Sequence, residues 1–262
     1  FFGVALATEL VAEGRSADLI AANNVLAHVP DINDFVAGFA TLLKSNGVAT
    51  FEFPHLLEMV AANQFDTAYH EHYSYLSLLA VERIFASNGL EVFDVEAIET
   101  HGGSLRVFVQ RAGGPHRVEP AVQVMIARER SAGLQTAEYY SGFQAAAENV
   151  KHDIVAFLID ARKQGLSVAA YGAAAKGNTL MNFAGIRPDL IRFVVDRNPA
   201  KQGKFMPGSR IPIVDEERLR AEKPDRIVIL PWNLKSEISA QLAYSRAWGA
   251  EFVIAVPRLE VL

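Results

Sequence analysis

The chain has 262 residues, half of them hydrophobic and about a fifth charged, a composition that suits one large or two ordinary globular domains. A net charge of −5 argues against a general nucleic-acid surface, and the lack of cysteine excludes disulfides, thiolate metal sites and a cysteine nucleophile. No apolar run approaches the roughly 18 residues of a membrane span and no secretory leader is legible, so a cytoplasmic location is the default; the opening Phe-Phe-Gly-Val-Ala, without Met, reads as the start of a fragment.

Residues 1–14 read as the end of a helix closed by Gly14. The apolar run 17–23 ends in Asn23-Asn24, as a buried parallel strand would. Asp31 or Asn33 is positioned to cap a helix that turns Phe35, Phe39, Leu42 and Leu43 inward. Residues 47–53 form the next strand, and strand–helix–strand alternation predicts a parallel α/β unit. An amphipathic helix follows over 76–87, then two strands, 90–98 and 104–110, joined by the hairpin-like Thr100-His101-Gly102-Gly103. These two strands are antiparallel and close the edge of the sheet. Residues 111–118 read as a linker and 119–163 as helical. Four further strands, at 167–171, 191–195, 226–230 and 251–256, predict a second, Rossmann-like sheet. The expected fold is α/β with two Rossmann-like units: a partial sheet with an antiparallel edge over residues 1–112, a helical connection over 113–164, and a smaller parallel sheet over 165–262.

The densest chemistry lies in Phe65-Asp66-Thr67-Ala68-Tyr69-His70-Glu71-His72-Tyr73. The run supplies groups that titrate near about 4, 6.5 and 10 in a loop between ordered elements, where catalytic side chains are usually placed. A hydrogen-bonded structural loop is the competing reading. In parallel sheets ligands sit at the carboxyl ends of strands. Asn23, Asn24 and His28 lie past one such end, and His55 and the Tyr69–Tyr73 loop past the next, so both clusters fall on one edge. His28 taken alone reads as structural. His70-Glu71-His72 is not a metal site, because neighbours on a strand point to opposite faces and the His-Glu-x-x-His pattern is absent.

In the second half, Gly172-Ala173-Ala174-Ala175-Lys176-Gly177-Asn178 turns a strand into a helix with small residues, a geometry that attracts phosphate. It is neither a Walker loop nor a dinucleotide fingerprint, and tight packing is the alternative. Asp196, at a second strand end, suits a carboxylate holding a sugar hydroxyl, or a turn. Asn233, past the third strand, is a further candidate substrate contact, as are His101 and Gly102 in the hairpin. Lys201, Lys204 and Arg210 read as solvated charges.

Four motifs occur in order: Asn23-Asn24-Val25-Leu26-Ala27-His28-Val29, the Phe65–Tyr73 run, Thr100-His101-Gly102-Gly103-Ser104-Leu105-Arg106, and Tyr171-Gly172-Ala173-Ala174-Ala175-Lys176-Gly177-Asn178-Thr179. Together they resemble the sugar C-methyltransferases that act on nucleotide-linked keto-deoxysugars. The resemblance implies that residues 1–112 are the later part of a class I methyltransferase domain, with S-adenosylmethionine as cofactor, Asn23 and Asn24 as candidate contacts, and a dTDP-keto-sugar as partner. It implies zinc only in an N-terminal module that is missing here, as is the Gly-rich cofactor loop. The activity is therefore assigned to the parent protein, and weak cofactor binding is expected of this stretch alone. The family's Tyr-x-Glu-His corresponds to Tyr69-His70-Glu71-His72, and its upstream active-site histidine to His28. On that reading His72 is the base with Tyr69 as runner-up, Glu71 orients an imidazole or contacts the sugar, and His28 or Tyr69 steadies an oxyanion. The loop Gly172, Lys176, Gly177 and Asn178 holds diphosphate or another part of the nucleotide. Two other classes stay open: a nucleotide-binding module without chemistry, and a nicotinamide-dependent sugar oxidoreductase or epimerase, for which a Tyr-x-x-x-Lys pair and a glycine fingerprint are wanting.

Overall fold

The computed structural model describes residues 1–262. The chain divides into two compact units, Phe1–Ala61 with His70–Ser141, and Ala62–Tyr69 with Gly142–Leu262. No helix is long and apolar enough to cross a membrane.

The first unit runs α1 (Val4–Ala12), β1 (Ala17–Asn23), α2 (Ile32–Leu42), β2 (Leu43–Pro54), α3 (Leu56–Ala61), α4 (Leu78–Ser87), β3 (Leu90–Ile98), β4 (Ser104–Arg111) and α5 (Pro120–Ala132). Asp31 caps α2 by accepting the Asn33 and Asp34 amides, as its position before an apolar stripe predicts. The sheet order is β1-β2-β4-β3, with β1 and β2 parallel and the other two pairs antiparallel. The returning strand β4 therefore inserts beside β2, and β3 takes the edge. Phe51 on β2 meets Phe39 of α2 at 4.6 Å and Phe85 of α4 at 4.8 Å between ring centroids, which seats both helices on one sheet face. Val122 and Ile126 bring α5 into the same core.

The second unit holds α6 (Phe143–Lys163), β5 (Val168–Tyr171), α7 (Ala175–Ala184), β6 (Val194–Val195), β7 (Ile213–Val214), α8 (Glu216–Glu222), β8 (Arg226–Ile229), α9 (Lys235–Gln241), β9 (Glu251–Ile254) and β10 (Glu260–Val261). The sheet has six strands, where the sequence reading expects four, in the order β10-β9-β8-β5-β6-β7. All pairs are parallel except β10 with β9. The two additional strands, β7 and β10, are two residues each, too short to carry a hydrophobic period. Successive residues of β5 alternate between two cores, Val168 and Ala170 on one face and Ala169 and Tyr171 on the other, so helices cover both faces. The helical stretch expected over 119–163 is broken at Gly133, a left-handed cap to α5, and α5 and α6 fall in different units.

Candidate functional site

In the first unit the carboxyl end of β1 supplies one wall. Asn23 lies opposite Glu52 in the parallel register, and the next residue, Asn24, adopts φ 55° and donates its amide to the Glu52 carbonyl at 2.8 Å. The Asn24 side-chain oxygen is buried without a hydrogen-bond partner. The chain then makes a 3₁₀ turn, Leu26–His28, anchored by buried Leu26 and Ala27. The Ala27 carbonyl accepts the Tyr73 amide at 2.8 Å and the Ser74 amide at 3.3 Å, which straps the 71–74 loop to this turn.

That strap brings His28, Glu71 and His72 together. The imidazoles of His28 and His72 meet edge to face with centroids 4.7 Å apart, and the Tyr75 ring lies 6.0 Å from that of His72. His28 Nδ1 lies 3.0 Å from the Glu71 carbonyl. A carbonyl only accepts, so Nδ1 carries the hydrogen and Nε2 of the neutral ring keeps its lone pair. Both rings are half-buried, whereas the Glu71 side chain is exposed. The arrangement presents two imidazoles that can hold or release a proton at one strand edge.

The hairpin residues fall differently. His101 (φ 57°) and Gly102 (φ 90°) form the left-handed corner between β3 and β4. His101 is exposed. A cavity of about 410 Å³ beside the corner is lined by Glu58, Glu99, Gly102 and Ser104, without the His101 side chain. Gly103 is required there, since a Cβ on it would lie 2.8 Å from Cγ of Glu58.

In the second unit β5 and β8 are neighbours, with β6 continuing on one side and β9 on the other. This is the topological switch point of a doubly wound sheet, where the loops after the two strands part and ligands bind. Gly172 (φ 92°) leaves β5 so close to Pro231 that a Cβ would stand 2.6 Å from the proline ring. Ala174, at the N-cap of α7, gives no side-chain cap to the helix amides. Lys176 places Nζ 4.7 Å above the ring of Trp232, in the loop after β8, and burial pushes its ammonium below the usual lysine range. The Trp232 indole donates to Asp66 Oδ2 at 2.8 Å. Asp66 has no exposed surface and its Oδ1 lacks a hydrogen-bond partner; desolvation holds its carboxyl above the ordinary value, against the opposing pull of Lys176 and the indole.

The remaining candidates of this unit are largely occupied in packing. Gly177 is buried against β8, where a Cβ would come 2.6 Å from Cβ of Leu230. Asn178 keeps a buried side-chain oxygen without a partner, and Asn233 is half-buried beside Trp232. Asp196 accepts from the Ala173 amide at 2.8 Å, the Asn198 amide at 2.9 Å and Lys201 Nζ at 3.3 Å, so it ties the ends of β5 and β6 together. Lys201 is correspondingly not a solvated charge, for its ammonium also reaches the Ala173 carbonyl at 2.8 Å. Asp66 and Trp232 were not singled out from the sequence. A tryptophan just past an apolar strand and a proline, in a chain with two tryptophans, is the one signal that could have marked the second.

Residues 99–257 match the family described as the C-methyltransferase C-terminal domain, and residues 3–95 match a methyltransferase domain. The chain belongs to the C-methyltransferase family. It is 37% identical over 261 residues to C-methyltransferase NovU of Streptomyces niveus, an alignment that takes in 100% of this chain and 62% of that protein, so the chain spans about three-fifths of the relative's length. Solved structures similar to parts of this C-methyltransferase chain include magnesium protoporphyrin IX methyltransferase of Synechocystis PCC 6803, at 14% identity and TM-score 0.29 over 37% of this chain and 46% of that one. An S-adenosylmethionine-dependent methyltransferase of Clostridium acetobutylicum ATCC 824 aligns at 11% identity and TM-score 0.30 over 40% of this chain and 69% of that one.

Proposed function

We propose that this C-methyltransferase moves a methyl group from S-adenosylmethionine to the carbon beside the ketone of a nucleotide-linked deoxysugar, with a thymidine diphosphate sugar as the substrate class. The observation that carries the reading is the His28–His72 pair at the strand edge. A carbon next to a ketone becomes nucleophilic only when it loses a proton, and a positioned base is what that step needs. His72 takes the proton. His28, tethered through Nδ1 to the Glu71 carbonyl, steadies the enolate oxygen by donating from Nε2, a role that needs a second hydrogen on the ring. Tyr69 is the alternative base.

The residues at the end of β1 suit the methyl donor. The buried, unpartnered Asn24 oxygen is an acceptor for an ammonium or hydroxyl group, and S-adenosylmethionine carries both. Asn23 and Asn24 would hold it, and it supplies an electrophilic methyl. The α7 turn with Lys176 is the proposed diphosphate contact, supported by its place at the switch point and its uncapped helix start.

The test separates proton removal from methyl transfer. Exchange of the hydrogen beside the ketone is followed by NMR in D₂O, without methyl donor, in the full-length protein. Wild type should exchange, and His72→Asn should exchange and turn over slower by about 10² to 10⁴, the usual contribution of a positioned acid–base group. Normal exchange in His72→Asn with loss in Tyr69→Phe would transfer the role to Tyr69. Normal exchange in both would leave the loop a structural one.

A further inference from the structure

We infer that Asp66 is a positioning residue for the Lys176 ammonium, acting through the Trp232 indole. This rests on the reading of the α7 turn as the diphosphate contact.

Three observations converge. Asp66 comes from a segment remote in sequence, lies in a 3₁₀ turn, Phe65–Thr67, and has no exposed surface. Its Oδ2 accepts from the indole N–H, at 2.8 Å. The face of that same indole carries Lys176 Nζ at 4.7 Å. An indole on a flexible loop can swing about its side-chain torsions, and a ring held at its N–H by a buried acceptor cannot. The bond also draws the N–H proton toward the carboxylate, which enriches the ring face in electron density and strengthens its hold on a cation. A half-buried ammonium has lost part of its hydration, so it settles where the ring and the carboxylate replace that water. The ring thus sets where the positive charge stands before an anion arrives, and preorganisation of this kind raises affinity without a new ligand contact.

A carboxylate so close to an anion site also repels the anion. The hydrogen-bond role and the charge role are therefore opposed in sign, and a pair of substitutions separates them. Asp66→Asn keeps an acceptor for the indole and removes the charge. Asp66→Leu removes both.

The experiment is calorimetric titration of the full chain with thymidine diphosphate, together with the two indole N–H resonances by NMR, which Trp248 and Trp232 supply. Asp66→Asn should bind as tightly as wild type or tighter, with the Trp232 resonance still at a hydrogen-bonded position. Asp66→Leu should bind about tenfold more weakly, as for a desolvated cation deprived of a fixed ring, with that resonance moved to the position of a free indole. Trp232→Phe, which keeps a ring but not the tether and alters a half-buried side chain, should weaken binding in the same direction, and it serves if Asp66→Leu does not fold. Wild-type affinity in Asp66→Leu or in Trp232→Phe overturns the inference. So does an Asp66→Asn protein as weak as Asp66→Leu, since charge and not the tether would then be decisive. Failure of wild type itself to bind thymidine diphosphate overturns the diphosphate reading on which the inference stands.

Discussion

Asp66 holds one oxygen against an indole and leaves the other without a hydrogen-bond partner in the core of the second unit. Its folded-state pKa lies above the ordinary 3.8, because burial disfavours the charged form more than Lys176 and Trp232 favour it. Between these two values the folded chain binds more protons than the unfolded chain. The stability this group contributes is therefore complete below 3.8 and is lost as pH rises through the folded value. Asp66→Asn removes the titration, so its stability relative to wild type should climb with pH across that window and level off above it. Thermal melts of both proteins at a series of pH values check this, and a difference independent of pH would refute it. Residues of this kind are poorly legible in a sequence. His28, Glu71 and His72 could be brought together on paper because each follows a strand end and strand ends share an edge. Asp66 and Trp232 are 166 positions apart, and no period or motif links them.

Helix α4 owes its position to a carboxylate from another helix. Glu129 of α5, with no exposed surface, accepts the Leu78 amide at 2.6 Å, the Leu79 amide at 2.9 Å and His55 Nε2 at 2.7 Å. Ser77 caps the Ala80 amide at 3.2 Å, so the first three amides of α4 all have acceptors. Backbone bonds fix the exit from β2 beside it, since the Leu56 amide donates to the Leu76 carbonyl at 2.9 Å and the His55 amide to the Gly103 carbonyl at 3.1 Å. Glu129→Ala should lower unfolding stability by about 1–3 kcal/mol for each buried donor left without its acceptor, read from the urea midpoint. A loss under about 1 kcal/mol, typical of an exposed pair, would show that the carboxylate is dispensable. Gly177→Ala tests a second joint. The new methyl would meet Leu230, so about 1–3 kcal/mol of destabilisation is expected, whereas a neutral result would mean that α7 can step back from β8. The strands and long helices of both units were readable from apolar runs and periodicity. The two-residue strands β7 and β10 and the short helix α3 were not, because tertiary pairing and not local pattern creates them.

Across the whole molecule the order of the chain and the order of its units differ. The sequence reading divides the chain end to end, with boundaries after 112 and 164, whereas Ala62–Tyr69 belongs with Gly142–Leu262 although it lies inside the span of the first unit. Composition could not reveal this, since nothing in eight residues says which core they join. Phe65 does the joining: it is 7% exposed, sits in the core with Val150, Leu180 and Met181, and meets Phe183 at 5.3 Å. Phe65→Ala should cost about 3–5 kcal/mol, and hydrogen exchange should locate the loss in α7 and its neighbours in the second unit. Loss of protection in β1 and β2 instead would contradict the assignment. The discontinuity has a consequence for anyone who cuts the gene. A piece beginning at Gly142 would encode every helix and strand of the second unit yet leave a phenylalanine-shaped hole in its core and an indole without its acceptor. Such a piece should remain loosely packed until a synthetic peptide spanning Ala62–Tyr69 is added in trans, and a peptide with alanine in place of Phe65 should fail to restore it.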